Sequence, residues 1–190
     1  MSHKRRMWST GVAVAVALLW IVSGCSERPS LLQPSPGSKK YAPLVRTTRG
    51  KLAGAEQWIE KTQQVTWEGG TITVGDEEIG MSSLVVPPFA IPQDVGAVAI
   101  TMSVSTTGPV VVGFTPHLEF KVPVTVAISY RGADLGGAVE SGLTILFNNE
   151  MQGEWEPVQS DPRPVGLEVV GALSHFSQYA VGSENRGGGG

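Results

Sequence analysis

Few side chains in this 190-residue sequence are of types suited to chemistry. It holds one cysteine, Cys25, and three histidines, His3, His117 and His175. A single thiol excludes an intramolecular disulfide and any site built on clustered cysteines. With His3 at the extreme N-terminus, two histidines leave little material for a histidine metal centre or a triad. The carboxylates offer two spacings of interest. Asp76, Glu77 and Glu78 lie between Gly75 and Gly80, and a loop of clustered carboxylates supplies the oxygen ligands that Ca²⁺ takes. No spaced ligand pattern follows them, so they read as a solvated turn. Glu154 and Glu156 flank Trp155. In a strand both point away from it, whereas paired-acid hydrolysis needs two carboxylates converging on a cleft. Trp58 and Trp67 offer flat rings that suit a sugar or a partner, and equally suit strand packing. These residues indicate no cofactor and no metal site.

The surroundings of Cys25 say more. Lys4, Arg5 and Arg6 precede Gly11 to Val22, a run of twelve residues that is apolar apart from its leading glycine. A membrane-crossing helix needs about 20 residues, whereas the apolar stretch of an export signal needs roughly 7–15. Val22-Ser23-Gly24-Cys25 follows directly. This stretch resembles the lipobox of bacterial lipoproteins, in which small residues lead into a cysteine. The resemblance implies that residues 1–24 are a cleaved signal peptide. Val22, Ser23 and Gly24 would enter the peptidase cleft, and the thiol of Cys25 would carry a diacylglyceryl group. Cleavage before Cys25 frees an amine for a further acyl chain. Each buried CH₂ contributes about 0.8 kcal/mol, and two or more chains give stable anchoring. The expected location is therefore the cell envelope. Ser26 is not the aspartate that tends to retain lipoproteins at the inner membrane, which points to the outer membrane where an organism has two.

Residues 25–51 read as a tether. Pro29, Pro34, Pro36 and Pro43 fall among serines and glycines without sustained periodicity, and such a segment extends at about 3.1 Å per residue. After Cys25 the tether has six basic residues and one acidic, a net of +5, whereas Leu52 onward has five basic and sixteen acidic, a net of −11. Basic side chains gain about 1 kcal/mol each beside anionic lipid, and an acidic domain argues against a nucleic-acid partner.

The positions of these residues depend on strands. From Leu118 to Tyr130 the sequence alternates, with Leu118, Phe120, Val122, Val124, Val126, Ile128 and Tyr130 on one face. Period two over this length marks a half-buried strand. Pro123 cannot donate to a ladder, so it belongs at an edge or bulge, or divides the run in two. Shorter candidates are 71–74, 81–86, 97–105, 110–114, 143–147, 155–158, 167–170 and 176–181, separated by Gly, Pro, Asn and Asp. The spacing predicts an all-β domain over 52–183, an antiparallel β-sandwich, with a flexible tail over 184–190. The stretch 55–64 has a weak pattern compatible with one or two helical turns. His117 falls opposite Leu118 and reads as a turn or surface residue, while Phe120 and Trp155 read as inward-facing.

Five segments in this order, "VTWEGGTITV" (65–74), "SSLVVPPFAI" (82–91), "FTPHLEFKVPVTVAISY" (114–130), "EWEPV" (154–158) and "LSHFSQYAV" (173–181), resemble a ZU5-type domain. The resemblance covers residues 65–181. It departs at Phe89, where the family more often has glycine, and the domain is short. It implies a β-sandwich that serves as a protein-interaction or structural module, here contacting another envelope protein or a surface polymer. It also implies an alternative. In certain ZU5-type domains a similar Phe–Ser bond cleaves itself, which on this chain would have Ser177 Oγ attack the carbonyl of Phe176 with His175 as base. The remaining reading is a carbohydrate-binding sandwich, which an exposed coplanar pair among Trp58, Trp67 and Trp155 would favour.

Overall fold

The computed structural model describes residues 44–48 and 57–183, and the expected signal and lipobox, most of the expected tether and the glycine tail lie outside them. The described chain forms thirteen strands. They are β1 (Arg46–Thr47), β2 (Trp58–Val65), β3 (Gly70–Asp76), β4 (Gly80–Val86), β5 (Val98–Ser105), β6 (Val111–Thr115), β7 (Glu119–Ser129), β8 (Ala133–Asp134), β9 (Leu143–Asn149), β10 (Glu154–Val158), β11 (Ser160–Arg163), β12 (Glu168–His175) and β13 (Gln178–Ser183). Six form one sheet in the order β10-β9-β13-β6-β5-β2, and five form another in the order β11-β12-β7-β4-β3. Neighbours in both sheets are antiparallel. The fold is thus the antiparallel β-sandwich that the alternation predicts.

The main core lies between the sheets. It takes Ile72, Leu84, Val126 and Ile128 from one and Ile100, Met102, Val112 and Ile145 from the other, with Phe114, Phe120, Phe176 and Tyr179 at one end. Burying side chains of this size stabilises the fold by about 1.5–3 kcal/mol each. Alternate residues of the six-stranded sheet carry a second apolar cluster on its outer face, made of Val111, Leu146, Trp155 and Ala180 with Leu44. Trp155 is only 3% exposed, but it belongs to this outer cluster and not to the main core, because Asn148 opposite it alternates with core-facing Phe147.

Strand β7 runs unbroken through Pro123. Its ladder with β12 slips there, advancing five residues from Glu119 to Val124 while β12 advances two from Leu173 to His175. The proline therefore sits in a bulge, and Val122 beside it turns outward to 38% exposure instead of continuing the inward face. The stretch 58–65 is a strand and not helical turns. All eight residues pair with β5, and its place at the sheet edge leaves most of them exposed or half-buried, which blurs the alternation.

The strand directions give the sandwich two different ends. At the near end the chain joins the fold through Leu44–Thr48, a stretch that the tether was expected to contain. Val45 N–H donates to Val181 O at 2.9 Å, Thr47 N–H to Gly108 O at 2.8 Å and Thr48 N–H to Gly132 O at 2.9 Å. Val45 and Thr47 are buried, so this stretch is part of the domain. The far end gathers the β2–β3 turn, the β4–β5 and β6–β7 loops, the β9–β10 hairpin and the β12–β13 crossover.

Candidate functional site

The far end holds a groove of about 660 Å³. Its walls come from the end of β6 and the loop to β7, from the β9–β10 hairpin, and from the His175–Gln178 crossover between the sheets. Strand pairing explains why distant parts of the sequence meet here. Glu119 is the register partner of His175, Tyr179 of Phe147, and Gln178 of Gly113. The groove lies beside the "SHFS" segment, and it brings His117 near His175, with ring centroids 6.2 Å apart.

Phe176 forms the floor. It is fully buried, stacks on Phe114 at 4.8 Å and meets Phe120 edge-on at 4.7 Å. Its N–H donates to Leu118 O at 2.8 Å, which ties the crossover to the start of β7. A two-residue link between sheets requires such a plug, because the chain passes through the end of the core.

His175 is half-buried, with its ring edge-on to Phe147 at 4.9 Å. The Tyr179 hydroxyl donates to the carbonyl oxygen of His175 at 2.6 Å and also lies 3.3 Å from His175 Nδ1. A hydroxyl has one hydrogen, and the carbonyl takes it. Nδ1 then meets the Tyr179 oxygen as a donor, and Nε2 accepts when the ring carries a single proton. Burial raises the Tyr179 hydroxyl well above the ordinary tyrosine range, which keeps this donor protonated.

The amides are committed in the same one-sided way. Asn149 Nδ2 donates to Glu156 Oε1 at 2.6 Å, and Asn148 Nδ2 donates to Gln178 Oε1 at 3.4 Å. The Ser177 hydroxyl donates to Asn148 O at 3.5 Å. Base and nucleophile are thus turned to other partners, His175 to Tyr179 and Ser177 to Asn148. Left-handed backbone at non-glycine positions occurs among the described residues at Phe89 and Leu167, not at the Phe176–Ser177 bond. Self-cleavage would need a base positioned on Ser177 and a strained Phe176–Ser177 peptide.

The other candidates lie apart. Asp76 Oδ1 accepts the N–H groups of Glu78 and Ile79 at 2.9 and 3.0 Å, so the acidic triplet forms the β3–β4 turn at the near end. Among the described residues no group of three or more His, Cys, Asp or Glu is placed to hold a metal ion. Glu156 is held by Asn149, and Glu154 is exposed at the start of β10. Among the described residues the tryptophans form no coplanar pair: Trp155 is buried, Trp58 packs on the outer cluster, and Trp67 lies 5.5 Å from Phe89 at a tilt of 35°. Cys25, Val22, Ser23 and Gly24 fall outside the described residues, and no helix among the described residues is long and apolar enough to cross a membrane.

Sequence reading singled out the two histidines and the crossover but missed Glu119, Phe147, Asn148, Asn149, Glu150, Met151 and Gln178. The paired asparagines before Glu150 signal a hairpin tip; nothing in the sequence says which other loops that tip faces. No family model matches this chain, and no curated protein matches it.

Proposed function

We propose that this protein is a lipid-anchored binding module of the bacterial cell envelope, whose sandwich displays the far-end groove to an envelope partner. The observation that carries the reading is the polarity of the fold. The chain joins the sandwich at Leu44–Thr48, while the groove opens at the opposite end. A tether bearing lipid on Cys25 then holds the domain by the end opposite this groove. The groove sets apolar and acidic side chains around the buried Phe176, a surface suited to holding a partner. A ZU5-type assignment rests on the five ordered segments, which fall on β2–β3, β4 with its following loop, β6–β7, β10 and β12–β13. With lipid on Cys25 and no aspartate at Ser26, the outer membrane is the proposed location in an organism with two membranes.

The test is the intact mass of the full chain purified from bacterial membranes. The expected species begins at Cys25 with acyl mass added, and Cys25→Ser should abolish both the added mass and the membrane retention. An unmodified Cys25 in the membrane fraction would overturn the anchor. A fragment pair divided at Phe176–Ser177 would replace the binding reading with self-cleavage.

A further inference from the structure

The groove has a definite chemical preference. Its lining contains no lysine or arginine. One N–H of each of the Asn148 and Asn149 amides is engaged, by Gln178 and by Glu156. The Tyr179 proton goes to a backbone carbonyl, which leaves His175 with Nε2 as an acceptor. Glu119 and Glu150 add two exposed carboxylates. The lining therefore carries two carboxylates and no lysine or arginine, inside a sequence segment, Leu52 onward, that carries eleven net negative charges. The ligand that complements it is rich in N–H donors and positively charged.

Two further features decide between a peptide and an amino sugar. Phe147 presents a partly exposed ring beside His175, a surface on which an ammonium or guanidinium group is attracted. Met151, 95% exposed at the tip of the β9–β10 hairpin, supplies a flexible apolar contact of the kind that adapts to varied peptide chains. Lysine and arginine combine a cationic head with an apolar stem, and the groove offers a counterpart to each part.

We infer that the far-end groove binds a basic peptide segment of a partner protein, its cationic heads held by Glu119, Glu150 and His175 Nε2 and its stems lying on Phe147 and Met151. This inference rests on the binding reading of the groove but not on the lipid anchor, so the two can fail separately.

The experiment is fluorescence anisotropy of labelled hexalysine and hexaarginine against the purified full chain, with hexaglutamate and a chitosan oligomer as the other probes. The double variant Glu119→Gln/Glu150→Gln should weaken binding of the basic peptides by about tenfold or more. Glu60→Gln/Glu77→Gln removes the same charge at exposed positions on the edge strand β2 and in the near-end turn, and should leave binding within about twofold. Equal loss in both double variants would show attraction to overall acidity and overturn the site. Binding of chitosan without the basic peptides would overturn the peptide assignment in favour of an amino-sugar polymer. No binding of either would overturn the inference while leaving the Cys25 result untouched.

Discussion

Two phenylalanines at the same end of the sandwich have opposite fates. Phe176, in the β12–β13 crossover, is fully buried, whereas Phe89, in the β4–β5 loop, is 64% exposed. Both follow the end of a strand in the five-stranded sheet, and both connections lead into the six-stranded sheet. Phe176 packs on two aromatic rings inside the core. Phe89 is turned out by a left-handed φ of 66° while Ala90 and Ile91 directly after it are buried. The backbone spends conformational energy to keep one ring outside and none to keep the other inside. The difference separates a connection that holds the fold together from one that displays a side chain.

The strongest way to break the comparison is to remove the inner ring. Phe176→Ala should destabilise the domain by about 3–5 kcal/mol, as deletion of a buried aromatic does. Urea denaturation of the full chain measures it. A loss below about 1 kcal/mol would mean that the crossover is not a core plug.

Next comes the support beneath the outer ring. Gly69 has a φ of 84°, and a Cβ there would run into the Val86 carbonyl oxygen and the Pro87 backbone. These are main-chain atoms in the strand end that leads to Phe89, so they cannot step aside. Gly69→Ala should cost more than about 2 kcal/mol, combining left-handed strain with the collision. The same change should disturb Trp67, whose carbonyl accepts the Phe89 N–H at 2.7 Å. Tryptophan fluorescence alongside the denaturation curve reads both effects.

The packing around Phe176 also sets an alkaline limit. Tyr179, 6.1 Å from Phe114, has its hydroxyl raised above the ordinary value of 10.0 by burial. Tyr130, at the other end of the core, is raised by burial and then by the charge of Glu140. The folded state holds these protons more tightly than the unfolded chain does. Their stabilising contribution is intact below the ordinary value and falls as pH climbs above it, chiefly through Tyr179, whose limiting slope is about 1.4 kcal/mol per pH unit. Thermal melts across the alkaline range should show that fall, and Tyr179→Phe should flatten it. At neutral pH the two tyrosines should differ. Tyr179→Phe loses a hydrogen bond worth about 1 kcal/mol, while Tyr130→Phe removes a buried hydroxyl that has no partner and should be neutral or stabilising.

How legible all this was depended on how far apart the partners lie along the chain. Local alternation announced β5, β7 and β9 because one face of each is buried along most of its length. It misread 58–65, where an edge strand has few neighbours to impose a period, and it placed Trp155 in the main core when the register puts it on the outer face. For Pro123 the missing N–H, a local property, left an edge, a bulge or a divided run, and the structure has the bulge. The groove is not local. His117 and Asn148 share it only because β7, β12, β13 and β9 are paired in register across two sheets. No pattern within a window of the sequence contains that information. Phe89 lies between these cases: its position after the Pro87-Pro88 pair was visible, but the left-handed φ was not.

That φ gives the smallest and most discriminating test. At a position with φ of 66°, a Cβ costs about 1 kcal/mol relative to glycine. Phe89→Ala keeps the strain and loses the contact with Trp67, worth about 0.5–1.5 kcal/mol. Phe89→Gly loses the same contact but releases the strain. Glycine should therefore leave the protein more stable than alanine does by about 1 kcal/mol, the reverse of the order in an ordinary strand or helix. If both variants fold as well as the parent or better, the exposed ring contributes nothing to stability, and its retention against a strained backbone points to contact with a partner. Should alanine prove the more stable, the loop relaxes out of the left-handed region in solution, and the contrast with Phe176 reduces to exposure alone.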